Sequence, residues 1–311
     1  MKQVEQGLLR SISANGVNIE EIGRYIFEGR GKRIRPALFL MVARLRKSNL
    51  AGFIDGAVAL ELVHTASLLH DDVIDQAATR RGRRVANERW GNRVAILAGD
   101  FLLSRAFQLL LQYRNWSLLE ILSEVVQEMA EGEMEQSLAG YAQQAMEDRY
   151  FNWIGKKTAR FFAGCCRAGS LISGGGSEEQ QGWSEFGFHL GMVFQLIDDL
   201  LDYTGHNNAT GKPLFGDLQN RILTLPLIHT LQSSADSAAL LAGLSGGTDP
   251  AAVLHSVARA VLEGDGLGYT LRKAEQYAAL AGETLDSLTG LSTADRQIFK
   301  NLLGYVIERS Q

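Results

Sequence analysis

Apolar residues recur at the spacing of an α-helix along almost the whole chain, which is 311 residues long. Within each segment they stand at positions i, i+3, i+4 and i+7, the pattern of a helix that buries one face. This pattern covers residues 34–47, 55–76, 93–112, 116–139, 150–173, 178–204, 221–232, 250–263, 268–284 and 293–308. Because the alternation typical of strands is hardly seen, the sequence predicts an all-α fold.

Three of the predicted helices are long. The segments 93–112, 116–139 and 178–204 each have about 20 residues or more, which corresponds to ~30 Å of helix. Helices of this length favour a bundle around a deep apolar interior. Glycine clusters at 174–176 and 244–247 indicate loops, but no change of composition separates two parts of the chain. We therefore expect one domain spanning residues 1–311.

The composition is that of a soluble globular protein, with 46% hydrophobic and 21% charged residues. The chain has 31 Lys and Arg residues against 35 Asp and Glu residues, a formal net charge of -4. This charge argues against a nucleic-acid partner. An anionic ligand must therefore be bound by local clusters of basic residues.

The sequence predicts neither a membrane helix nor a secretory signal. No stretch approaches ~18 consecutive apolar residues, and the N-terminus lacks a basic segment followed by an apolar one. The adjacent Cys165 and Cys166 suit neither a structural disulfide nor a zinc site, and we interpret them as small core residues. We expect a cytoplasmic protein without stable insertion in a membrane.

Two acidic motifs with the same spacing end strongly apolar helical segments. The stretches LLHDDVID and FQLIDDLLD supply Asp71, Asp72 and Asp75, and Asp198, Asp199 and Asp202. Carboxylates four residues apart on one helix face repel each other, so a positive partner is expected between them. One such motif would be explained by a solvated helix end. Two copies favour a pair of motifs that face each other across a bundle.

Carboxylates without His or Cys at ligand spacing favour a hard cation. Mg²⁺ in particular takes one or two carboxylates, several waters and the oxygens of a substrate phosphate. Basic residues stand beside both motifs, in GRGKRIRP at 29–36, in RRGRR at 80–84 and around Thr158 in GKKTAR. Each basic stretch alone would be interpreted as a solvated face, but Arg and Lys beside metal-binding carboxylates indicate a phosphate site.

Six motifs together resemble those of the trans-isoprenyl diphosphate synthases, the polyprenyl synthetase family, of the long-chain type. They are GKRIRP at 31–36, HTASLLHDDVID at 64–75, RRG at 80–82, KTA at 157–159, FQLIDDLLD at 194–202 and TLPLI at 224–228. The resemblance extends from about residue 20 to residue 230. It implies a helical enzyme that condenses an allylic prenyl diphosphate with isopentenyl diphosphate, head to tail.

The resemblance also implies roles for individual residues. The main metal ligands would be Asp71, Asp75 and Asp198, supported by Asp72, Asp199 and Asp202, and three Mg²⁺ ions would be bound in each active site together with diphosphate. Catalysis would rest on Asp71, Asp72, Asp75, Asp198, Asp199 and Lys157. Isopentenyl diphosphate would be held by Lys32, Arg35, His64 and Arg81, and the allylic diphosphate by Arg80, Lys157, Thr158, Gln195 and Lys212. A homodimer and a membrane-directed product are further implications.

Ala66 and Ser67 are expected to determine the length of the product. They precede Asp71 by about one helical turn, where the growing hydrocarbon must pass. In the resembling family, a bulky aromatic residue at either position stops the chain early, whereas both residues are small here. We therefore predict a long-chain, all-trans product, on the order of thirty to fifty carbons. Close packing of two helices would be an alternative reason for the small residues.

The chain departs from the family pattern after Gly211 and Lys212. It continues PLFGDLQNRILTLP, so that Ile222 stands where a second lysine for the diphosphate is expected. Arg221 could fill this gap. Three other functions remain open: a short-chain farnesyl or geranylgeranyl diphosphate synthase, a low-activity subunit of a heteromeric prenyltransferase, and a terpene cyclase or head-to-head condensing enzyme.

Overall fold

The structure is a computed structural model that describes residues 1–13, 17–29, 31–80, 82–139, 146–205, 215–220, 222–246 and 250–308. Helices dominate these residues. The one sheet among them is an antiparallel pair of two-residue strands, β1 (Thr79–Arg80) and β2 (Arg83–Arg84). The predicted all-α class is confirmed.

The helices of the described residues are numbered here in chain order. They are α1 (Lys2–Ile12), α2 (Val17–Glu28), α3 (Ile34–Arg44), α4 (Ile54–Ile74), α5 (Ala86–Trp90), α6 (Asn92–Leu111), α7 (Trp116–Ser137), α8 (Met146–Ile154), α9 (Arg160–Ser173), α10 (Ser177–Thr204), α11 (Gly216–Gln219), α12 (Leu225–Ser233), α13 (Ser237–Gly246), α14 (Pro250–Glu263), α15 (Gly266–Ser287) and α16 (Thr293–Glu308). A short 3₁₀ turn, Ala51–Phe53, precedes α4, and a π-helical turn, Gly155–Ala159, joins α8 to α9.

The predicted helix boundaries agree with the structure for the long helices. α6, α7 and α10 begin and end within two residues of the predicted bounds. The loop predicted at 244–247 is wrong for residues 244–246, which belong to α13 (Ser237–Gly246). A second prediction fails at the π-helical turn. The prediction of one continuous helix over 150–173 is wrong, because the π-helical turn interrupts it. A π turn adds one residue to a helical turn, and apolar spacing does not reveal such an insertion. The amphipathic helices α1 and α2 were not predicted.

The chain forms two compact units. The first comprises Met1–Val126 and Gly164–Ser184, and the second comprises Gln127–Ala163 and Glu185–Gln311. Both units have an apolar core of their own. Cys165 and Cys166 are buried and free in the first unit, as predicted for core residues.

The central helix of the first unit is α4, which α1, α3 and α6 contact. Small residues allow these helices to approach closely. A Cβ atom on Gly7 of α1 would lie 2.5 Å from Cγ2 of Val58, and one on Gly99 of α6 would lie 2.3 Å from Nε2 of His70. Because α4 is packed along most of its length, the residues at its C-terminal end have fixed positions.

In the second unit, α10 packs closely against the π-helical turn. A Cβ atom on Gly191 would lie 2.6 Å from the Cα atom of Ala159, and one on Gly187 would lie 2.6 Å from the carbonyl oxygen of Phe162. Gln195 follows Gly191 by one helical turn on the same face. The close contact therefore brings Gln195 beside Thr158 of the π turn, where the two side chains form a hydrogen bond of 2.7 Å.

Two described helical stretches are long and apolar enough to cross a membrane by length and composition. They are Ala51–Ile74 and Asn92–Leu111. In the first, 67% of the most apolar window is buried inside the protein, and in the second 33% is buried. The first stretch is thereby explained as a core helix, since α4 is covered by its neighbours. The second keeps exposed apolar residues, among them Ile96, Leu97 and Leu111.

Candidate active site

The predicted site residues divide into two groups, one in each unit. The first group contains the acidic motif at the end of α4 and the basic residues around it. The second group contains the acidic motif of α10 and the residues of the π-helical turn. Each group has its own network of hydrogen bonds.

The first acidic motif lies at the C-terminal end of α4, as the sequence predicts. Asp71 is half-buried, Asp72 is buried, and Asp75 is exposed directly after the last helical residue. The backbone N–H of Asp75 donates to the carbonyl of Asp71 at 2.8 Å, which confirms that the two residues lie one turn apart. The predicted spacing of the carboxylates is therefore present in the fold.

Arg80 provides a positive partner for this motif. Its Nε donates to Oδ1 of Asp72 at 2.8 Å, and the carboxylate of Asp72 is only 7% exposed. The hairpin of β1 and β2 places Arg80, because Arg80 pairs with Arg83 across a tight turn. The family resemblance implies that Arg80 binds the allylic diphosphate. In the structure, Arg80 forms an ion pair with Asp72. Arg81, the next predicted ligand, lies outside the described residues.

A basic pocket of about 100 Å³ opens beside Asp72 in the first unit. Its lining combines four arginines with His64 and two carboxylates. The polar lining residues are Tyr25, Arg33, Glu61, His64, Thr65, Asp72, Arg80, Arg83 and Arg84. Asp72 is paired with Arg80 and Glu61 with Arg33, whereas Arg83 contacts the exposed Glu28, which lies outside the lining. The lining itself therefore has four arginines against two carboxylates. The pocket therefore suits an anion such as a diphosphate.

The predicted pair of Arg35 and His64 is brought together beside this pocket. Nη1 of Arg35 lies 3.2 Å from Nε2 of His64. A guanidinium has no acceptor, so Nε2 accepts this hydrogen bond and the ring proton is on Nδ1. His64 is consequently neutral in this arrangement. Lys32, the third predicted residue of the group, is exposed.

Glu61 is a residue of this group that sequence analysis did not identify. Its carboxylate is buried and accepts a 2.6 Å hydrogen bond from Nη1 of Arg33. Burial raises the pKa of the Glu61 carboxyl above its ordinary value, and the Arg33 guanidinium opposes this shift. The signal available in the sequence was the position of Glu61 three residues before His64, on the same face of α4.

The second acidic motif begins near the end of α10. Asp198 is half-buried and Asp199 is buried. Asp202 is half-buried, and its two carboxylate oxygens accept the backbone N–H groups of Gly216 and Asp217 at 3.0 and 3.1 Å. Asp202 thus holds the first turn of the short helix α11.

A chain of hydrogen bonds holds the buried side chain of Asp199 in place. The hydroxyl of Tyr150 donates to Oδ2 of Asp199 at 2.5 Å, and Nε2 of Gln195 donates to Oδ1 at 2.8 Å. Thr158 in turn donates to Oε1 of Gln195. These contacts orient the amide of Gln195 and connect two of the predicted ligands of the allylic diphosphate, Thr158 and Gln195, to Asp199. Tyr150 was not identified from the sequence, because nothing local relates it to a carboxylate 49 residues later.

Burial affects the ionisation of both Asp199 and Tyr150. It raises the pKa of Asp199 well above its ordinary value, and the negative charge of Asp217 adds to the shift. Burial also raises the pKa of the Tyr150 hydroxyl, followed by the effect of Asp199 itself. Because burial favours the protonated hydroxyl, Tyr150 keeps its proton and donates a hydrogen bond to Asp199.

The lysines of the π-helical turn are bound by α7. Lys157 forms an ion pair with Glu133 and donates to Oε1 of Gln136 at 3.0 Å. Lys156 contacts Glu131 and Glu135 at 3.0 and 2.7 Å. The three acidic residues Glu131, Glu133 and Glu135 all belong to α7. In the structure they neutralise the two lysines.

The acidic motifs suit a metal that is bound together with its substrate. Among the residues that the structure describes, no group of three or more His, Cys, Asp or Glu side chains forms a ready metal site. Mg²⁺ does not require one, because it usually keeps several waters and takes one or two carboxylates plus substrate phosphates. Half-buried Asp71 and Asp198 and exposed Asp75 match this type of ligand.

The two residues predicted to determine product length lie on α4, one turn before the first acidic motif. Ala66 is buried and Ser67 is half-buried. The hydroxyl of Ser67 donates to the carbonyl of His64 at 2.9 Å, within its own helix. The continuous helix from Ile54 to Ile74 confirms the spacing on which this prediction depends.

Part of the region that departs from the expected pattern lies outside the described residues. This applies to Gly211, Lys212 and Arg221. Ile222 is described, and its backbone N–H donates to the carbonyl of Asp217 at 2.8 Å. The roles predicted for Lys212 and Arg221 stay predictions.

Comparison with known proteins identifies relatives over the whole length of the chain. The family model described as polyprenyl synthetase matches residues 17–261. An octaprenyl diphosphate synthase from Haemophilus influenzae is 36% identical over 93% of this chain and 88% of its own length. A protein named heptaprenyl diphosphate synthase component 2, from Geobacillus stearothermophilus, is 33% identical over 98% of this chain and 94% of its own length.

A solved structure of similar sequence has the same fold as this chain. It is a polyprenyl synthase from Caulobacter crescentus CB15 complexed with calcium and isoprenyl diphosphate. The two structures superpose with a TM-score of 0.93 at 29% sequence identity, covering 100% of this chain and 95% of the other. With a family model that matches most of its residues, two acidic motifs and a basic pocket, the chain belongs to the polyprenyl synthetase family.

Proposed function

We propose that this chain is a Mg²⁺-dependent prenyltransferase that condenses an allylic prenyl diphosphate with isopentenyl diphosphate, head to tail. The product is a long-chain all-trans polyprenyl diphosphate. The observation that carries the proposal is the arginine-lined pocket beside the buried Asp72 in the first unit, which provides an anion site next to an acidic motif. The predicted enzyme class is confirmed by the family to which the chain belongs.

The first unit binds isopentenyl diphosphate in this proposal. Arg35, His64 and Lys32 surround its diphosphate with donors, together with Arg81. The contact between Arg35 and His64 supports this assignment, because the two side chains come from α3 and α4 and meet beside the pocket. A charged fork such as Arg35 can bind two phosphate oxygens at once. This fixes the position from which the double bond attacks the allylic carbon.

The second unit binds the allylic diphosphate. Thr158 and Gln195 are oriented through their hydrogen bonds to Asp199, and Lys157 and Lys212 are proposed as further donors to the diphosphate. The hydrogen bonds from Thr158 through Gln195 to Asp199 support this role, since they hold the donors rigid before substrate arrives. No general base is proposed among the side chains, because the released diphosphate can accept the proton.

A divalent metal held by the acidic motifs would supply positive charge that stabilises the departing diphosphate. We propose Mg²⁺, with three ions bound when diphosphate is present, held by Asp71, Asp75 and Asp198 and supported by Asp72, Asp199 and Asp202. The donor set of hard carboxylates supports this choice. The calcium in the Caulobacter crescentus relative supports a divalent ion at this kind of site.

We also propose a cytoplasmic homodimer. The exposed apolar residues Ile96 and Leu97 on α6 support an interface between two copies. The rival is a subunit of a heteromeric enzyme, in keeping with the name of the Geobacillus stearothermophilus relative. Both acidic motifs are intact in this chain, which favours a catalytically complete protein.

An assay of the purified chain with labelled isopentenyl diphosphate, Mg²⁺ and farnesyl or geranylgeranyl diphosphate distinguishes the alternatives. Extended prenyl products support the proposed synthase. Cyclised hydrocarbon would identify a terpene cyclase, and products that stop at farnesyl or geranylgeranyl diphosphate would identify a short-chain enzyme. No product from the chain alone, with activity restored by a second subunit, would identify the heteromeric case.

The Tyr150→Phe variant should lower kcat by about tenfold or more, because it leaves a buried oxygen of Asp199 without its donor, which costs about 1–3 kcal/mol, and so releases the side chain that orients Gln195. The loss should appear in steady-state assays with both substrates saturating. Tyr277→Phe is the matched control. Tyr277 is a half-buried tyrosine of the same unit that packs against Phe151 and His189. An equal loss in both variants would contradict a specific role of the contact between Tyr150 and Asp199.

The Ile222→Lys variant should lower the KM for the allylic substrate and leave the KM for isopentenyl diphosphate nearly unchanged. A restored hydrogen bond to phosphate would contribute about 1.5–3 kcal/mol, roughly tenfold in affinity. If Arg221 already makes this contact, the gain should appear only when Arg221 is replaced as well. Steady-state kinetics in both backgrounds test this, and no change in either would place the loop away from the diphosphate.

A further inference from the structure

Arg33 is held by two carboxylates at the edge of the basic pocket. Its Nη1 donates to Glu61 at 2.6 Å, and its Nε and Nη2 donate to the two oxygens of Glu5 at 2.8 and 3.3 Å. The side chains of Arg33 and Glu61 are 8% and 4% exposed, whereas that of Glu5 is 46% exposed. Each nitrogen of the Arg33 guanidinium is therefore already bound to a carboxylate oxygen.

The backbone of Arg33 is in the left-handed region, with φ 50° and ψ 38°, directly before the first residue of α3. A residue with a side chain avoids this region unless contacts elsewhere hold it there. The buried ion pair with Glu61 is such a contact. It therefore stabilises the turn between Lys32 and Arg35.

A second contact joins the same two parts of the chain. Glu61 and His64 are three residues apart on one face of α4, and they bind Arg33 and Arg35, respectively. The turn and the start of α3 are thus attached to α4 at two neighbouring points. Displacing Arg33 would change the position of Arg35 relative to His64.

We propose that Glu61 is a positioning residue for isopentenyl diphosphate, acting through Arg33 to hold the turn that presents Lys32 and Arg35. This inference rests on the proposed function of the pocket. Glu61 does not bind the substrate itself, because its carboxylate is buried and faces Arg33. Arg33 likewise serves the turn, since each nitrogen of its guanidinium already binds Glu61 or Glu5.

The proposal predicts a change in the KM for isopentenyl diphosphate that is opposite in sign to the change expected from electrostatics alone. Removing the negative charge of Glu61 makes the pocket more positive, and a more positive pocket by itself should bind a diphosphate more tightly. Loss of positioning should instead weaken binding. The direction in which the KM for isopentenyl diphosphate changes in Glu61→Gln therefore separates the two effects.

The test compares Glu61→Gln with Glu5→Gln in the full-length chain. Both variants remove one carboxylate charge from Arg33, but only the first removes the charge of the buried ion pair. We expect Glu61→Gln to raise the KM for isopentenyl diphosphate tenfold or more, with kcat at saturating substrate and the KM for the allylic substrate within about twofold of wild type. Glu5→Gln should change the first KM less than threefold.

Glu61→Asp is the second variant, because it keeps the charge but is one methylene shorter. It should also raise the KM for isopentenyl diphosphate, and circular dichroism should show the helical content of wild type. An unchanged or lowered KM in Glu61→Gln, or an equal rise for both substrates, would overturn the inference. Titration of the wild type with isopentenyl diphosphate alone separates this outcome from failure of the proposed function. If the proposed function is wrong, the wild type neither binds isopentenyl diphosphate nor converts it to product.

Discussion

Asp71→Ala and Asp198→Ala should each abolish turnover while the helical fold remains intact. Each change removes a carboxylate proposed to bind the metal ions that stabilise the departing diphosphate. Loss of one such electrostatic contribution typically reduces kcat by about 10²–10³-fold, and loss of an ion would cost more. Neither change should destabilise the fold strongly, because it removes one charge from a cluster of like charges. Turnover at saturating Mg²⁺ is the measurement.

Asp100→Ala is the control for these variants. Asp100 lies on α6 with its side chain 61% exposed, and its contact is with His70 at 3.4 Å. It should retain the activity of wild type. Circular dichroism of all three variants checks the fold. Wild-type turnover in either Asp71→Ala or Asp198→Ala would refute the metal site.

Ser67→Phe should shorten the product toward twenty carbons or fewer. The aromatic ring would stand about one turn below Asp71 on α4, in the path of the growing hydrocarbon. Ala66→Phe should act in the same direction. Because Ala66 is only 2% exposed, its replacement will also overpack the core, at a cost of about 1–3 kcal/mol. Chromatography of the products against standards of known length measures the effect.

Ser287→Phe is the matched control for product length. Ser287 makes the same hydrogen bond as Ser67, from its hydroxyl to the carbonyl three residues earlier, but it is exposed at the end of α15. Its product should be as long as that of wild type. A long product that Ser67→Phe leaves unchanged would mean that the chain does not grow past this turn. The small residues at 66 and 67 would then serve helix packing alone.

The sequence predicted those features of the fold and of the site that depend on residues close together in the chain. The bounds of α10 and the spacing of Asp198, Asp199 and Asp202 follow from apolar periodicity and from charge on one helix. The same is true of α4 and its acidic end. In both places the helix that carries the site is itself part of the core, so one pattern predicts the element and the position of the side chains.

The partners of these residues could not be predicted, because they come from distant parts of the chain. Glu61 binds an arginine 28 residues earlier, and Tyr150 binds an aspartate 49 residues later. The neutralisation of Lys157 by Glu133 likewise depends on how α7 packs against the π-helical turn. Apolar spacing predicts which face of a helix is buried, but it does not predict which neighbour that face meets.

Mass spectrometry of the products made by the purified chain alone tests the central claim most directly. The chain would be supplied with farnesyl diphosphate, isopentenyl diphosphate and Mg²⁺, with a parallel sample containing a chelator. We expect a series of prenyl diphosphates that differ by one isoprene unit and end on the order of thirty to fifty carbons, with none in the chelated sample. No incorporation of isopentenyl diphosphate, or the same products without metal, would contradict the account.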